Sequence, residues 1–300
     1  MNQRESQRIG VFYGLAAYGW WGVVVVYFKW VSHVPPLELL AHRIVWSVLL
    51  LAALLGYRRR FAEIPRALRD PKILRILLAS TVLVACNWFT FIWAVMHAKV
   101  VQASLGYFIN PLVNVLLGFV FLRERLRPVQ WASVSLACAG VISMTLQLGS
   151  VPVIALILAF SFGLYGLLRK IVGVESMVGL ATETFLLLPA AFGYLLWLGL
   201  EGNLVFAHHD LRTDLLLVAA GIVTALPLLW FAHAARRLNL ATVGFLQYLA
   251  PSLQLLIGVT IYKEDFTPRH AMSFGLIWIA LAIYSVDAAT RIRRYGRVRP

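Results

Sequence analysis

A chain of 300 residues with 61% hydrophobic and only 13% charged residues lies far from a soluble domain, where charged residues supply about a quarter. Apolar runs such as Trp20 to Phe28 and Ile44 to Leu55 need a bilayer to cover them, which argues against a soluble α/β enzyme. The net charge of +14 does not point to nucleic acid, because the basic residues are strung between apolar segments and do not gather with aromatics on one face.

Taken in chain order, the first apolar run starts near Ile9, behind Arg4 and Arg8, and reaches about Trp30. That is too long for a signal-peptide core of roughly 7–15 residues, so it is expected to stay as the first span. Further stretches of about 20 apolar residues predict helices over 37–56, 74–95, 101–122, 129–147, 151–169, 177–199, 213–235, 241–262 and 270–288. The count is ten; the break at Leu148-Gly149-Ser150 is the weakest separation, and merging across it leaves nine. Cys86 and Cys138 both fall inside apolar stretches, so no disulfide framework is indicated.

The basic residues orient these spans. With ten helices and both termini in the cytoplasm, 21 of the 27 Lys and Arg residues fall on the cytoplasmic side, seven of them between Arg58 and Arg75. The other side receives Lys29, Lys99, Arg212, Lys263 and Arg269, and Arg43 lies within a span. A wrong helix count would scramble this bias.

An ungapped internal repeat runs through the chain at a spacing of 140 residues: Pro111 falls on Pro251, Gly118 on Gly258, Glu124 on Glu264, Pro128 on Pro268 and Ser133 on Ser273. The basic loop Arg123-Glu124-Arg125 corresponds to Lys263-Glu264-Asp265, which has lost the basic excess, so equivalent loops face opposite sides. The expected fold is therefore an all-α membrane protein of ten transmembrane helices, built as two inverted five-helix repeats over residues 1–147 and 148–300. Secondary transporters commonly use this arrangement to alternate access around a site near the membrane midplane.

Five sequence stretches carry a family resemblance: Gly14 to Lys29 with Trp20-Trp21-Gly22, Glu38 to Ser47, Asn87-Trp88 with Trp93-Ala94, Ser104 to Asn114, and Leu246 to Pro251. In these the chain resembles the RarD subfamily of EamA-type proteins in the drug/metabolite transporter superfamily. The resemblance implies a ten-helix permease of the bacterial inner membrane that moves a small organic metabolite or drug, with the lipid bilayer and a small-molecule substrate as its partners.

Within the spans, the ionisable residues are the first site candidates, because a charge in hydrocarbon is costly. They are Arg43 and Glu183, and the shift of 140 residues maps one onto the other. Each lies about six residues, roughly 9 Å, from the start of its helix, which separates them by on the order of 10 Å in depth in a core about 30 Å thick, so direct pairing is not required. Arg43 either attracts an anionic substrate group or snorkels to the outer headgroups. Glu183 either carries a cation or the coupling proton or anchors packing through hydrogen bonds. Glu38 and His42, a turn apart and nearer the interface, read as solvated.

On the fourth span Tyr107, Asn110, Pro111, Asn114 and Gly118 share one helical face, with Gln247, Pro251, Gln254 and Gly258 as the equivalent set. Each proline removes a backbone donor and frees the carbonyl four residues earlier. Cavity lining and interhelical hydrogen bonding both fit this pattern, and its repetition favours the cavity. Asn87, Trp88, Thr90 and Trp93 cluster on the third span, and Thr224, Pro227, Trp230 and His233 occupy the corresponding stretch of the eighth, with Tyr18, Trp21 and Tyr165 as lesser candidates. An interfacial aromatic belt competes with a pocket for these rings. The fifth and tenth spans offer small residues, Ser133, Gly140 and Ser143 against Ser273, Gly275 and Ser285, which either close the bundle or meet a second protomer in a homodimer.

Two other function classes compete, an intramembrane enzyme and a channel. The sequence has no His-Glu-x-x-His, Gly-x-Ser-x-Gly, P-loop or dinucleotide motif. His208, His209 and Asp210 read as solvated loop residues, so neither a metal nor another cofactor is expected. Inverted repeats with paired helix breakers favour alternating access over a fixed pore.

Overall fold

The structure, a computed structural model, describes residues 3–123, 128–148, 151–235, 237 and 246–295. The described residues form eleven helices and no strand: α1 (Gln3–Trp30), α2 (Pro36–Tyr57), α3 (Glu63–Arg69), α4 (Pro71–Met96), α5 (Val100–Leu122), α6 (Pro128–Leu148), α7 (Val153–Ile171), α8 (Ser176–Leu200), α9 (Leu211–Ala235), α10 (Leu249–Thr260) and α11 (Pro268–Tyr295). Six of these are long and apolar enough to cross a membrane, within α1, α2, α4, α5, α8 and α9, and apolar stretches of α6, α7, α10 and α11 are shorter. The chain is a multi-pass membrane protein. The Glu124-to-Arg127 loop, the Gly149-Ser150 break, Arg236, residues 241–245 and the last five residues lie outside the described set.

Local chemistry explains where the helices start and stop. Pro36 and Pro71 open α2 and α4, where a missing N–H costs nothing. Asp70 caps α4 by accepting from the N–H groups of Lys72 and Ile73, and Glu175 caps α8 by accepting from Met177 and Val178. Arg123 and Lys263, 140 residues apart, both adopt positive φ, 55° and 56°. Pro128 and Pro268 then open α6 and α11. Both copies of the repeat thus place a residue in the left-handed region where the preceding helix ends.

The basic segment after α2, expected as a loop, contains the two-turn helix α3, which buries Ile64 and Ala67 and leaves its arginines in solvent. The stretch expected as a helix over 241–262 is helical at 246–247, turns at Tyr248 and resumes as α10. Pro251 lies in the first turn of α10, so it starts that helix, whereas Pro111, Pro189 and Pro227 lie inside α5, α8 and α9.

Packing runs mostly between the two halves. Helix α5 lies on α7 and α1 on α10; α4 lies on α7 and α1 on α9; α2 crosses both α8 and α9, and α4 crosses α8. The remaining main pairs are α5 with α10 and α6 with α11. Close crossings need glycine. A Cβ on Gly106 of α5 would sit 2.7 Å from the Ala155 carbonyl of α7, and one on Gly14 of α1 would sit 2.5 Å from Leu246 Cδ1. A Cβ on Gly221 of α9 would sit 2.6 Å from the Trp46 carbonyl oxygen of α2. One buried core gathers Phe28, Leu39, Leu51, Ile92 and Leu217 from α1, α2, α4 and α9, and a second gathers Leu105, Phe108, Phe274 and Ile277 from α5 and α11.

Candidate functional site

Arg43 projects from α2 between three other helices. Its Nε donates to Thr224 Oγ1 of α9 at 2.6 Å, and its guanidinium lies 4.4 Å from the Trp88 ring centre of α4 and 5.7 Å from that of Phe28 of α1. Tyr27 and Tyr107 are close enough to act on it electrostatically. No carboxylate pairs with it among the described residues, and its buried Nη1 has no hydrogen-bond partner. Aromatic faces attract a cation by about 0.5–2 kcal/mol, far less than the desolvation of a buried charge. The guanidinium is therefore held in place by Thr224 and two rings while part of its donor capacity is unused.

Glu183 is fully buried on α8 and has three partners. Ser80 of α4 donates to Oε1 at 2.6 Å, Tyr165 of α7 donates to Oε2 at 3.1 Å, and Arg169 Nη1 at the end of α7 lies 3.7 Å from Oε1. A Cβ at Gly179, one turn before Glu183, would fall on the Arg169 guanidinium, so the glycine makes room for the arginine. The carboxylate thus ties α4, α7 and α8 together.

The polar residues of α5 form two hydrogen-bonded groups with their neighbours. Tyr107 donates to Asn87 Oδ1 at 3.2 Å, and Asn87 donates to the Leu158 carbonyl and to Ser161 Oγ of α7. Asn110 donates to the Ala159 carbonyl at 3.0 Å, and its Oδ1 accepts from Asn114 at 3.0 Å and from Gln247 at 3.3 Å. Tyr107 and Gln247, equivalent in the repeat, thus belong to two separate groups, each of which also bonds a carbonyl of α7. The Asn87 and Asn110 amides are buried, whereas Asn114 is exposed. Buried polar groups at this depth keep partners because unsatisfied ones cost several kcal/mol each.

Other sequence candidates are placed apart. Gln254 donates to the Trp21 carbonyl at 2.9 Å, and Trp230 packs edge-on against Trp20 at 5.9 Å. Pro227 is buried in α9, three residues beyond Thr224. Trp93 stacks on His97 and His233 lies against Tyr13, both near helix ends. His208, His209 and Asp210 are exposed. The small residues of α6 and α11 meet each other, with Gly140 under the Ser273 carbonyl.

Glu38 and His42 differ from the expectation of solvation, since both are buried. Glu38 Oε1 accepts from the backbone N–H groups of Val205 at 2.9 Å and Phe206 at 3.3 Å, so the loop after α8 closes over it. Three contributors escape sequence reasoning: Thr224 as partner of Arg43, Arg169 as partner of Glu183, and Glu264. The last accepts from Val100 and Val101 N–H at 2.8 Å each and caps α5 from the loop after α10. The invariance of Glu124 and Glu264 under the repeat was the one available signal.

Comparison with known proteins adds the following. The EamA-like transporter family model matches residues 8–146. A Salmonella typhi protein named "Protein RarD" is 47% identical over 284 residues, 95% of this chain and 97% of its own. A Vibrio cholerae serotype O1 protein named "Uncharacterized transporter" is 46% identical over 95% of this chain and 94% of its own. A Bacillus subtilis protein named "Uncharacterized transporter YojE" is 46% identical over 94% and 95%. A solved crystal structure superposes with a TM-score of 0.63 at 20% identity, covering 95% of this chain and 99% of that one, a likeness of fold alone.

Proposed function

The chain belongs to the EamA-like transporter family, among the RarD proteins, and from that premise we propose that it is a secondary carrier that moves a small organic anion by alternating access. That it is a membrane transporter follows from the family; the mechanism and the substrate class are the proposal.

The mechanism is an exchange between two inverted five-helix repeats, 1–147 and 148–300, in ten spans with α3 lying outside the membrane. Exchanging the halves carries α1 into α7, α2 into α8, α4 into α9, α5 into α10 and α6 into α11. Under that exchange α5 on α7 becomes α10 on α1, α4 on α7 becomes α9 on α1, and α2 on α9 becomes α8 on α4, all of which pack together. The pairs α2 with α8, α5 with α10 and α6 with α11 map onto themselves. The repeated positive φ at Arg123 and Lys263 and a family model that spans residues 8–146 support the same division. With the positive-inside bias, both termini face the cytoplasm of a bacterial inner membrane. Two such halves can rock about a central site that opens to one side at a time.

The observation that carries the substrate class is Arg43, a charge without a carboxylate partner and with a buried Nη1 unbonded. It lies seven residues into α2, about 10 Å along the helix, where an anionic group entering beside Trp88 would complete its hydrogen bonds. The Asn87–Tyr107 and Asn110–Gln247 pairs supply the neutral polar wall, and the rings of Phe28, Trp88 and Tyr107 supply the apolar one. Glu183, the coupling candidate by burial alone, is read here as a latch at the opposite end, because three helices are tied through its two oxygens. Counterflow tests the reading. In proteoliposomes of the full chain loaded with an unlabelled organic anion, the labelled anion should accumulate transiently and emerge unaltered. A channel gives no overshoot, and an enzyme returns a converted compound.

A further inference from the structure

Buried polar atoms without hydrogen-bond partners gather on one stretch of α2: Glu38 Oε2, both ring nitrogens of His42, Arg43 Nη1, Trp46 Nε1 and Ser47 Oγ. Arg43 belongs to the site already described, but Glu38 and His42 do not. They are 0% and 4% exposed, more than nine-tenths buried, and one turn apart, with His42 Nε2 3.9 Å from Glu38 Oε1. The cover over them is thin. Val205 and Phe206 donate their N–H groups to Glu38 Oε1, and the Phe206 ring lies 4.9 Å from the His42 ring. The neighbouring Ala207 is held in the left-handed region at φ 64° and donates to Asp214 at the start of α9.

The groups that bear on this pair can be named from each neighbouring helix. Asp214 of α9 acts on His42, and Tyr194 of α8 is close enough to sense Glu38; no group of α4 acts on either. No arginine or lysine pairs with Glu38 among the described residues. A bare carboxylate with one free oxygen, next to an imidazole with no bonded nitrogen, is an expensive arrangement to bury. One added proton relieves it. On Glu38 Oε2 the proton leaves Oε1 free to accept from the loop, and on His42 Nε2 it faces the carboxylate.

We propose that Glu38 and His42 hold one shared proton while the 203–207 loop is closed over them, and release it to water when that loop opens. The proton leaves as hydronium, and the carboxylate and the neutral imidazole are then hydrated. This deepens the alternating-access reading and rests on it, since it makes the proton the ion linked to opening of the Pro36 end of α2. The site also lies on the same helix as Arg43 and next to it in sequence, though on a different face, so a substrate anion and the proton would be handled by one helix.

The test is the sign of a pH effect. A carboxylate that merely caps the loop binds its N–H groups better when ionised, so the loop would close more tightly as pH rises. The shared proton demands the reverse. Hydrogen exchange of the peptide containing Val205 and Phe206, in full-length protein and corrected for intrinsic rates, should show protection falling by up to about tenfold per pH unit between about pH 6.5 and 8, where a hydrated imidazole no longer carries a proton of its own. Glu38→Gln, a neutral mimic of the protonated acid, should keep protection high and flat with pH, and Glu183→Gln should leave the pH effect unchanged. Protection that rises or stays level with pH in the wild-type protein overturns the proposal without any variant. If counterflow fails while the falling protection is observed, the carrier reading is lost and the proton switch stands.

Discussion

Arg43 and Glu183, 140 residues apart and each seven residues into α2 and α8, form no ion pair with one another, yet each bonds a hydroxyl of the helix next in its partner half. Arg43 donates to Thr224 of α9 at 2.6 Å, and Glu183 accepts from Ser80 of α4 at 2.6 Å. In the proposed exchange of the two repeats, which carries α2 into α8 and α9 into α4, the two contacts join corresponding helices with the charge reversed, although their hydroxyls sit a turn apart, since Thr224 corresponds to Val84 and Ser80 to Ala220. They differ in completeness. Glu183 is satisfied by Ser80, Tyr165 and Arg169, whereas Arg43 keeps donor capacity toward the interior. A buried charge with unused donor capacity is suited to bind a ligand at that charge.

The Glu183 latch should show energetic coupling between its members. Ser80→Ala and Glu183→Gln, measured singly and together by reversible unfolding in detergent, are expected to couple by about 0.5–1.5 kcal/mol, in the range of buried interhelical hydrogen bonds. Additivity within about 0.3 kcal/mol would remove the latch.

Glu264 should act as a helix cap supplied from a distance. Glu264→Ala strips the first N–H groups of α5 of their shared acceptor and should lower stability by about 1–2 kcal/mol, while Glu264→Gln should cost less because one acceptor oxygen remains. Thermal unfolding of the three proteins in one detergent measures it; equal melting of all three would show that the contact carries no weight.

The α2–α9 crossing depends on a missing side chain. Gly221→Ala places a methyl 2.6 Å from the Trp46 carbonyl and is expected to destabilise by about 1–3 kcal/mol. Gly193→Ala on α8 meets nothing within 4 Å and should stabilise slightly, by up to about 1 kcal/mol, through the higher helix propensity of alanine. The reverse order of melting temperatures would contradict the observed crossing.

The helix positions were largely legible because hydrophobic length acts locally and needs no knowledge of neighbours. Ten apolar stretches correspond to α1, α2 and α4–α11 within a few residues at most ends. Helix α3 was not legible, since seven residues rich in arginine, with Pro65 among them, carry too weak a periodicity and only Ile64 and Ala67 are fully buried. The Asn87, Tyr107, Asn110 and Gln247 set could be picked out because polar groups in a span must be satisfied, although which partner satisfies which was not readable. Glu38 was misjudged for a physical reason. Its position near a helix end suggests solvent, but its cover comes from a loop 167 residues away, which no local pattern encodes. Arg169 likewise reads as a membrane-edge charge, and only the fold turns it toward Glu183.

The central claim is that Arg43 binds the anionic group of a small organic substrate. A thermal-shift screen of the purified full chain against organic anions, amino acids, nucleosides and neutral or cationic drugs tests it most directly, because a ligand at a hundred times its Kd stabilises the folded state by about 2.7 kcal/mol. The account predicts stabilisation by anions, lost in Arg43→Gln and retained in part in Arg43→Lys, with the unliganded Arg43→Gln protein still folded. Anion stabilisation that survives unchanged in Arg43→Gln, or stabilisation confined to cations, would contradict it.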